Sequence, residues 1–156
     1  QKGLIYFEEE VKKAGFPGLH LQLIAGGMPH ETLIKKIETL KISSLTQYGW
    51  SAPVCEDYIR WGTHTWEYVQ KWDEAVMIPY FPNASIGWDD TPRFPHKTRK
   101  DVVHLNQSRK VRIFLQKAKE YCDKHPDQPK LITVYAWNEW VEGAYLLPDM
   151  KYGSII

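Results

Sequence analysis

Glu139 and Glu142 stand three residues apart in Trp137-Asn138-Glu139-Trp140-Val141-Glu142-Gly143, framed by two tryptophans and a glycine. The run follows the apolar stretch Leu131-Ile132-Thr133-Val134-Tyr135-Ala136, which reads as a buried strand, so both acids fall where that strand ends. If the segment takes a helical turn, side chains at i and i+3 point the same way. Cleaving a glycosidic bond takes one carboxylic acid to protonate the leaving oxygen and one carboxylate as nucleophile or base. The same spacing has a structural reading, in which one Glu caps a helix and the other forms a salt bridge.

A second cluster, Gly87-Trp88-Asp89-Asp90-Thr91-Pro92-Arg93, places an aromatic platform, two carboxylates and a guanidinium within one short run. Arg93 is expected to pair with Asp89 or Asp90, or to donate to substrate hydroxyls. A third, Thr46-Gln47-Tyr48-Gly49-Trp50, puts a phenol at a strand end, where it orients a carboxylate or a sugar hydroxyl, or packs in the core. Aromatics are abundant, with seven Trp, nine Tyr and five Phe making 13% of the chain. Tyr48, Trp50, Trp61, Trp66, Tyr80, Phe81, Trp88, Phe94, Trp137, Trp140 and Tyr145 read as lying in loop-like segments. Flat rings with a polar edge suit sugars, whose C–H faces are apolar and whose rims are polar. The other reading is that they anchor large loops.

The elements that position these groups alternate. Helical spacing predicts helices over 4–14, 29–40, 56–72 and 108–124, the last capped by Ser108 or Asn106. Strands are predicted over 18–24, 43–48, 75–79 and 131–136, and the proline-bearing stretch 80–107 is predicted to be a long functional loop. The resulting α-β-α-β-α-β-α-β order argues for an α/β fold with parallel strands and helical crossovers. Each chemical cluster follows a strand, and in such folds ligands bind at the carboxyl ends of the strands. Four strands are too few for a closed barrel of eight, so residues 1–156, a single domain fragment, are either part of an open α/β sheet or about half of a (β/α)8 TIM-type barrel.

Composition excludes several partners. Twenty basic and nineteen acidic residues leave a net charge of +1, which gives no electrostatic case for nucleic acid. No apolar run approaches the ~20 residues of a membrane span. Six scattered histidines and two distant cysteines, Cys55 and Cys122, define no metal site or disulfide framework, and no cofactor is called for. A first residue of Gln rather than Met reads as a processed or excised piece.

Taken together, Ala136 to Asp149 and the upstream Gly87 to Arg93 resemble the glycoside hydrolase family 99-like proteins, which include the WbsX-type glycosyltransferases. The resemblance implies a (β/α)8 barrel of which this chain is the C-terminal half. It also implies a retaining endo-acting hydrolase of α-mannosides. In that chemistry Glu139 would be the base that deprotonates the sugar 2-OH, and Glu142 the acid/base at the leaving oxygen. Tyr48, Trp50, Trp88, Asp89, Arg93, Trp137, Asn138 and Trp140 would shape the site. Leu147 stands where the family usually has Glu, and Asp90 where Asn is common. Transfer from a nucleotide- or lipid-linked donor in polysaccharide assembly is the alternative activity, and a non-catalytic sugar-binding module the third reading. A half barrel leaves strand edges uncovered, which predicts self-association.

Overall fold

The computed structural model describes residues 2–54, 57–96, 101–104, 106–150 and 153. The chain folds in the order α1 (Lys2–Lys13), β1 (Gln22–Ile24), α2 (His30–Leu40), β2 (Ser44–Thr46), α3 (Tyr58–Ala75), β3 (Tyr80–Phe81), β4 (Asn83–Ser85), α4 (Ser108–Lys124), β5 (Thr133–Tyr135), β6 (Asn138–Glu139), a 3-10 turn (Trp140–Glu142) and β7 (Ala144–Tyr145). It is an α/β fold with parallel strands. β1 pairs with β2 and β2 with β3, aligning Leu23 with Leu45 and Leu45 with Tyr80. β4 pairs with β5, aligning Ala84 with Val134.

The four predicted helices are present within a few residues, but the third strand is not at 75–79. Ala75 ends α3, and Met77 is fully exposed in the connection. The strand lies further on, at the start of the predicted 80–107 loop. Its two short pieces flank Pro82, whose ring is buried and which has no N–H to give a ladder. The first piece pairs back to β2 and the second forward to β5, while the Pro82 carbonyl accepts from Thr133 N at 2.9 Å. The carboxyl ends of β1, β2, β4 and β5 therefore gather at one side of the molecule. Past β5 the chain does not continue as a plain loop. It forms an antiparallel ribbon, β6 with β7, around the 3-10 turn that holds Trp140 to Glu142.

The core explains many of the aromatics. Along α3, Tyr58, Trp61, Thr65, Trp66, Val69 and Trp72 recur at helical spacing and are buried. Asp57 caps this helix by accepting from Arg60 N at 2.9 Å. α4 returns Val111, Phe114, Ala118 and Cys122 to the same interior, and Gly62 admits the Phe114 ring. The cap of α4 is Gln107, without a side-chain hydrogen bond, rather than Ser108 or Asn106. Asn106 instead donates to Ile86 O at 3.2 Å. Trp61, Trp66, Tyr80 and Phe81, read from sequence as loop aromatics, are core residues. They occupy α3 and β3, where apolar side chains leave water.

Among the described residues, no helix is long and apolar enough to cross a membrane, and no group of three metal-binding side chains assembles. Cys122 is a buried free thiol, whose pKa burial raises. Cys55 lies outside the described residues.

Candidate active site

The two acidic motifs meet. Glu139 closes β6 and Glu142 closes the 3-10 turn that follows, and Gly143, in the left-handed region at φ 61°, lets the chain double back into β7. The Glu142 carbonyl accepts from Asp89 N at 2.8 Å, joining this ribbon to the loop after β4. Packing is tight there: a Cβ on Gly143 would lie 2.7 Å from the Asp89 Cβ, and one on Gly87 would lie 2.5 Å from Asn106 Nδ2.

Arg93 joins the charges. Its Nη1 pairs with Glu142 Oε1 in a close charged hydrogen bond, and its Nη2 lies 3.7 Å from Glu139 Oε1. Glu142 is buried at 5% exposure, whereas the Glu139 side chain is 31% exposed. One guanidinium thus spans a buried carboxylate and an accessible one, a use for which its planar fork is suited.

The expected partners of Arg93 within its own cluster have other work. Asp89 Oδ1 accepts from Thr91 N at 2.8 Å, and Asp90, buried, accepts from Asp101 N at 3.1 Å. Both carboxylates fold the loop, which frees Arg93 to reach the distant pair. Sequence reasoning offered Arg93 a local carboxylate or a substrate hydroxyl and not Glu142, because a contact across 49 positions leaves no mark in a short motif.

The predicted sugar-facing rings separate into two groups. Tyr48 and Trp137 are each 61% exposed and Trp140 is 45% exposed, stacked on Tyr145 at 4.2 Å. Trp88 is half-buried, parallel to Tyr135 at 6.5 Å, and Tyr48 leans on the other side of Tyr135 at 4.8 Å. Asn138 is exposed in β6, opposite Tyr145. Trp50 belongs to the interior. It is 6% exposed, donates from its indole to Asn83 O at 2.9 Å, and packs edge-on against Trp61 and Phe114. Its place in the loop-like run behind β2 suggested a sugar contact, but its indole packs in the core. Sequence reasoning gave no role to Tyr135, which it took as part of the strand alone, or to Ser51, which follows the third cluster.

Comparison with known proteins adds a family and a fold. The family described as Glycosyltransferase WbsX matches residues 4–155. The uncharacterized protein WxcX of Xanthomonas campestris pv. campestris, in strain B100 and in strain ATCC 33913, is 35% identical over 75 residues. That match covers 47% of this chain and 10% of the relative, so the chain spans a small part of the relatives' length. The GH99 endo-alpha-mannosidase from Bacteroides thetaiotaomicron superposes with a TM-score of 0.56 at 20% identity, over 88% of this chain and 37% of that one. The likeness is one of fold.

Proposed function

This chain belongs to the glycosyltransferase WbsX family, and from that premise we propose that it carries the acid/base centre of a carbohydrate-active enzyme. Residues 1–156 act as one unit, the C-terminal half of a (β/α)8 barrel whose remaining strands lie elsewhere in the protein. The exposed ends of the strand row are where those strands, or a second copy, would join. The observation that carries the reading is Arg93 bridging Glu139 and Glu142 at the carboxyl end of β5. Two acids folded only for stability have little reason to share one cation beside exposed rings that suit a glycan.

The roles follow from the surroundings. Glu139 is the accessible carboxylate and suits the base that takes a proton from a sugar hydroxyl. Glu142, buried and oriented by Arg93, suits the acid/base that serves the leaving oxygen, and the exposed side of the Arg93 guanidinium is open to a sugar hydroxyl. Tyr48, Trp88, Trp137 and Trp140 offer ring faces, Asn138 and Asp89 polar edges, and Trp50 supports from beneath.

The reaction we favour is hydrolysis of an α-mannoside-like glycan with retention, in keeping with the barrel-type fold neighbour. The family's description favours a second reading, transfer of a sugar from an activated donor. One experiment separates them. The full-length protein, with Glu139→Gln and Glu142→Gln beside it, is incubated with α-mannoside oligosaccharides and read by mass spectrometry, with and without nucleotide- or lipid-linked sugars. Cleavage that both folded variants lose supports the hydrolase. Extension that appears only with donor supports the transferase. Turnover that survives both substitutions removes the pair from the chemistry.

A further inference from the structure

Below the rings lies a cleft that does not include the acid pair. It has a volume of about 260 Å3 and is walled by Ile24 at the end of β1, Tyr48 and Ser51 behind β2, Trp88 behind β4 and Tyr135 at the end of β5, with Trp50 among its lining. Among the described residues, no charged side chain lines it. The space is kept open by absent side chains: a Cβ on Gly26 would come within 3.1 Å of Ser51 Oγ, and one on Gly49 within 3.3 Å of Tyr135 Cδ1.

Among the described residues, three buried side-chain polar atoms lack a partner: Tyr135 OH, Ser51 Oγ and Gln47 Nε2. Two of them belong to residues that line the cleft, Tyr135 and Ser51, and Gln47 stands behind Ser51, accepting from Ser51 N at 3.3 Å through its other amide atom. Tyr135 and Gln47 are 3% and 2% exposed. A buried, unpartnered hydroxyl is costly, so two on the lining of one apolar cleft mark a place where a ligand's polar groups complete the set. Tyr48, exposed to solvent, packs against the buried Tyr135 ring at 4.8 Å.

We propose that this cleft is a subsite for one 6-deoxyhexopyranose ring of the glycan, its methyl against the aromatic and aliphatic wall and its hydroxyls toward Tyr135 and Ser51. The inference rests on the carbohydrate reading above and narrows its substrate class. A ring bearing a hydroxymethyl group would bring one more hydroxyl into a lining with few polar atoms to answer it, which is unfavourable unless that group is paired. The cleft is smaller than the 300–1,000 Å3 or so of drug-sized pockets, in keeping with a single ring.

The test uses the full-length protein and two probes that differ by one hydroxyl, methyl 6-deoxy-α-D-mannopyranoside and methyl α-D-mannopyranoside, titrated by NMR. The deoxy glycoside is expected to bind about tenfold more tightly, the ratio that an unpaired hydroxyl in an apolar site implies. Tyr135→Phe is expected to weaken it several-fold while the melting temperature holds or rises, because a hydroxyl without a protein partner has been removed. Equal binding, preference for the hydroxymethyl glycoside, or no binding of either overturns the proposal. So does a Tyr135→Phe variant that melts lower and binds unchanged. If the subsite fails while Glu139→Gln and Glu142→Gln still abolish turnover, the carbohydrate reading stands without it.

Discussion

Arg93 and Glu142 lie 49 positions apart in sequence and form a charged hydrogen bond, with the carboxylate buried and the guanidinium side chain 42% exposed. That asymmetry sets what each substitution should do. Arg93→Met leaves a buried carboxylate without its cation. A fully buried pair broken in this way loses about 3–5 kcal/mol. With one partner open to water the cost falls to about 1–2 kcal/mol. Arg93→Met with Glu142→Met should lose less than the two single changes added, because the orphaned charge is gone. Urea unfolding of the four proteins measures the coupling. Additive losses would mean that the two side chains do not depend on each other.

Gly143 is the joint between the ribbon and the loop after β4. Its φ of 61° and the 2.7 Å approach of an added Cβ to the Asp89 Cβ act together. Gly143→Ala should cost about 2 kcal/mol from strain and overpacking. It should also reduce turnover beyond its effect on stability, since the Asp89 N to Glu142 O bond that joins the motifs is pushed apart. Thermal unfolding and turnover of Gly143→Ala beside the parent check this, and a melting temperature equal to the parent's would show that neither the strain nor the contact matters.

These relationships divide what the sequence makes legible from what it does not. The helix at Ser108–Lys124 is legible because Val111, Phe114, Ala118 and Cys122 repeat at the helical period, a local property. The third strand was misplaced because Ala75-Val76-Met77-Ile78 is apolar enough to pass for one, although Met77 lies wholly in solvent. Burial there is decided by what packs beside the segment, not by its composition. Glu139 and Glu142 stand out through type and spacing, as does Arg93. That one binds the others is a tertiary fact. The same holds for Trp50 and Trp88: both follow strands, yet one is buried in the core and the other is half-buried.

The contact of α3 with α4 rests on Gly62. A Cβ there would sit 2.3 Å from Phe114 Cζ, and that ring also packs edge-on against Trp50 and Tyr58. Gly62→Ala gains about 1 kcal/mol in helix propensity, yet overpacking costs about 1–3 kcal/mol and should win, because the whole aromatic cluster must shift. The net change is expected to be destabilising. Phe114→Leu combined with Gly62→Ala should melt above Gly62→Ala alone. Thermal unfolding by circular dichroism decides this, and a Gly62→Ala chain more stable than the parent would show that the two helices separate without cost.

Surface carboxylates should govern acid stability. Hydrogen bonds from Lys119 and then Lys130 hold the Asp123 carboxyl at about 2, well below its usual 3.8. Asp57 is also held low, first by the Arg60 N–H of the α3 cap and then, against the opposing effect of burial, by Lys110. A carboxylate depressed on folding adds stability above its unfolded pKa and loses it as pH falls through the folded one. The Asp123 contribution should therefore be complete above about pH 4 and disappear toward about pH 2. Asp123→Asn should lower the urea midpoint near neutral pH and converge with the parent at the acid end. Asp57→Asn should keep most of the cap while flattening the acid limb, and Asp57→Ala should lose both. A gap between parent and Asp123→Asn that persists at the lowest pH would assign the effect to packing, not charge.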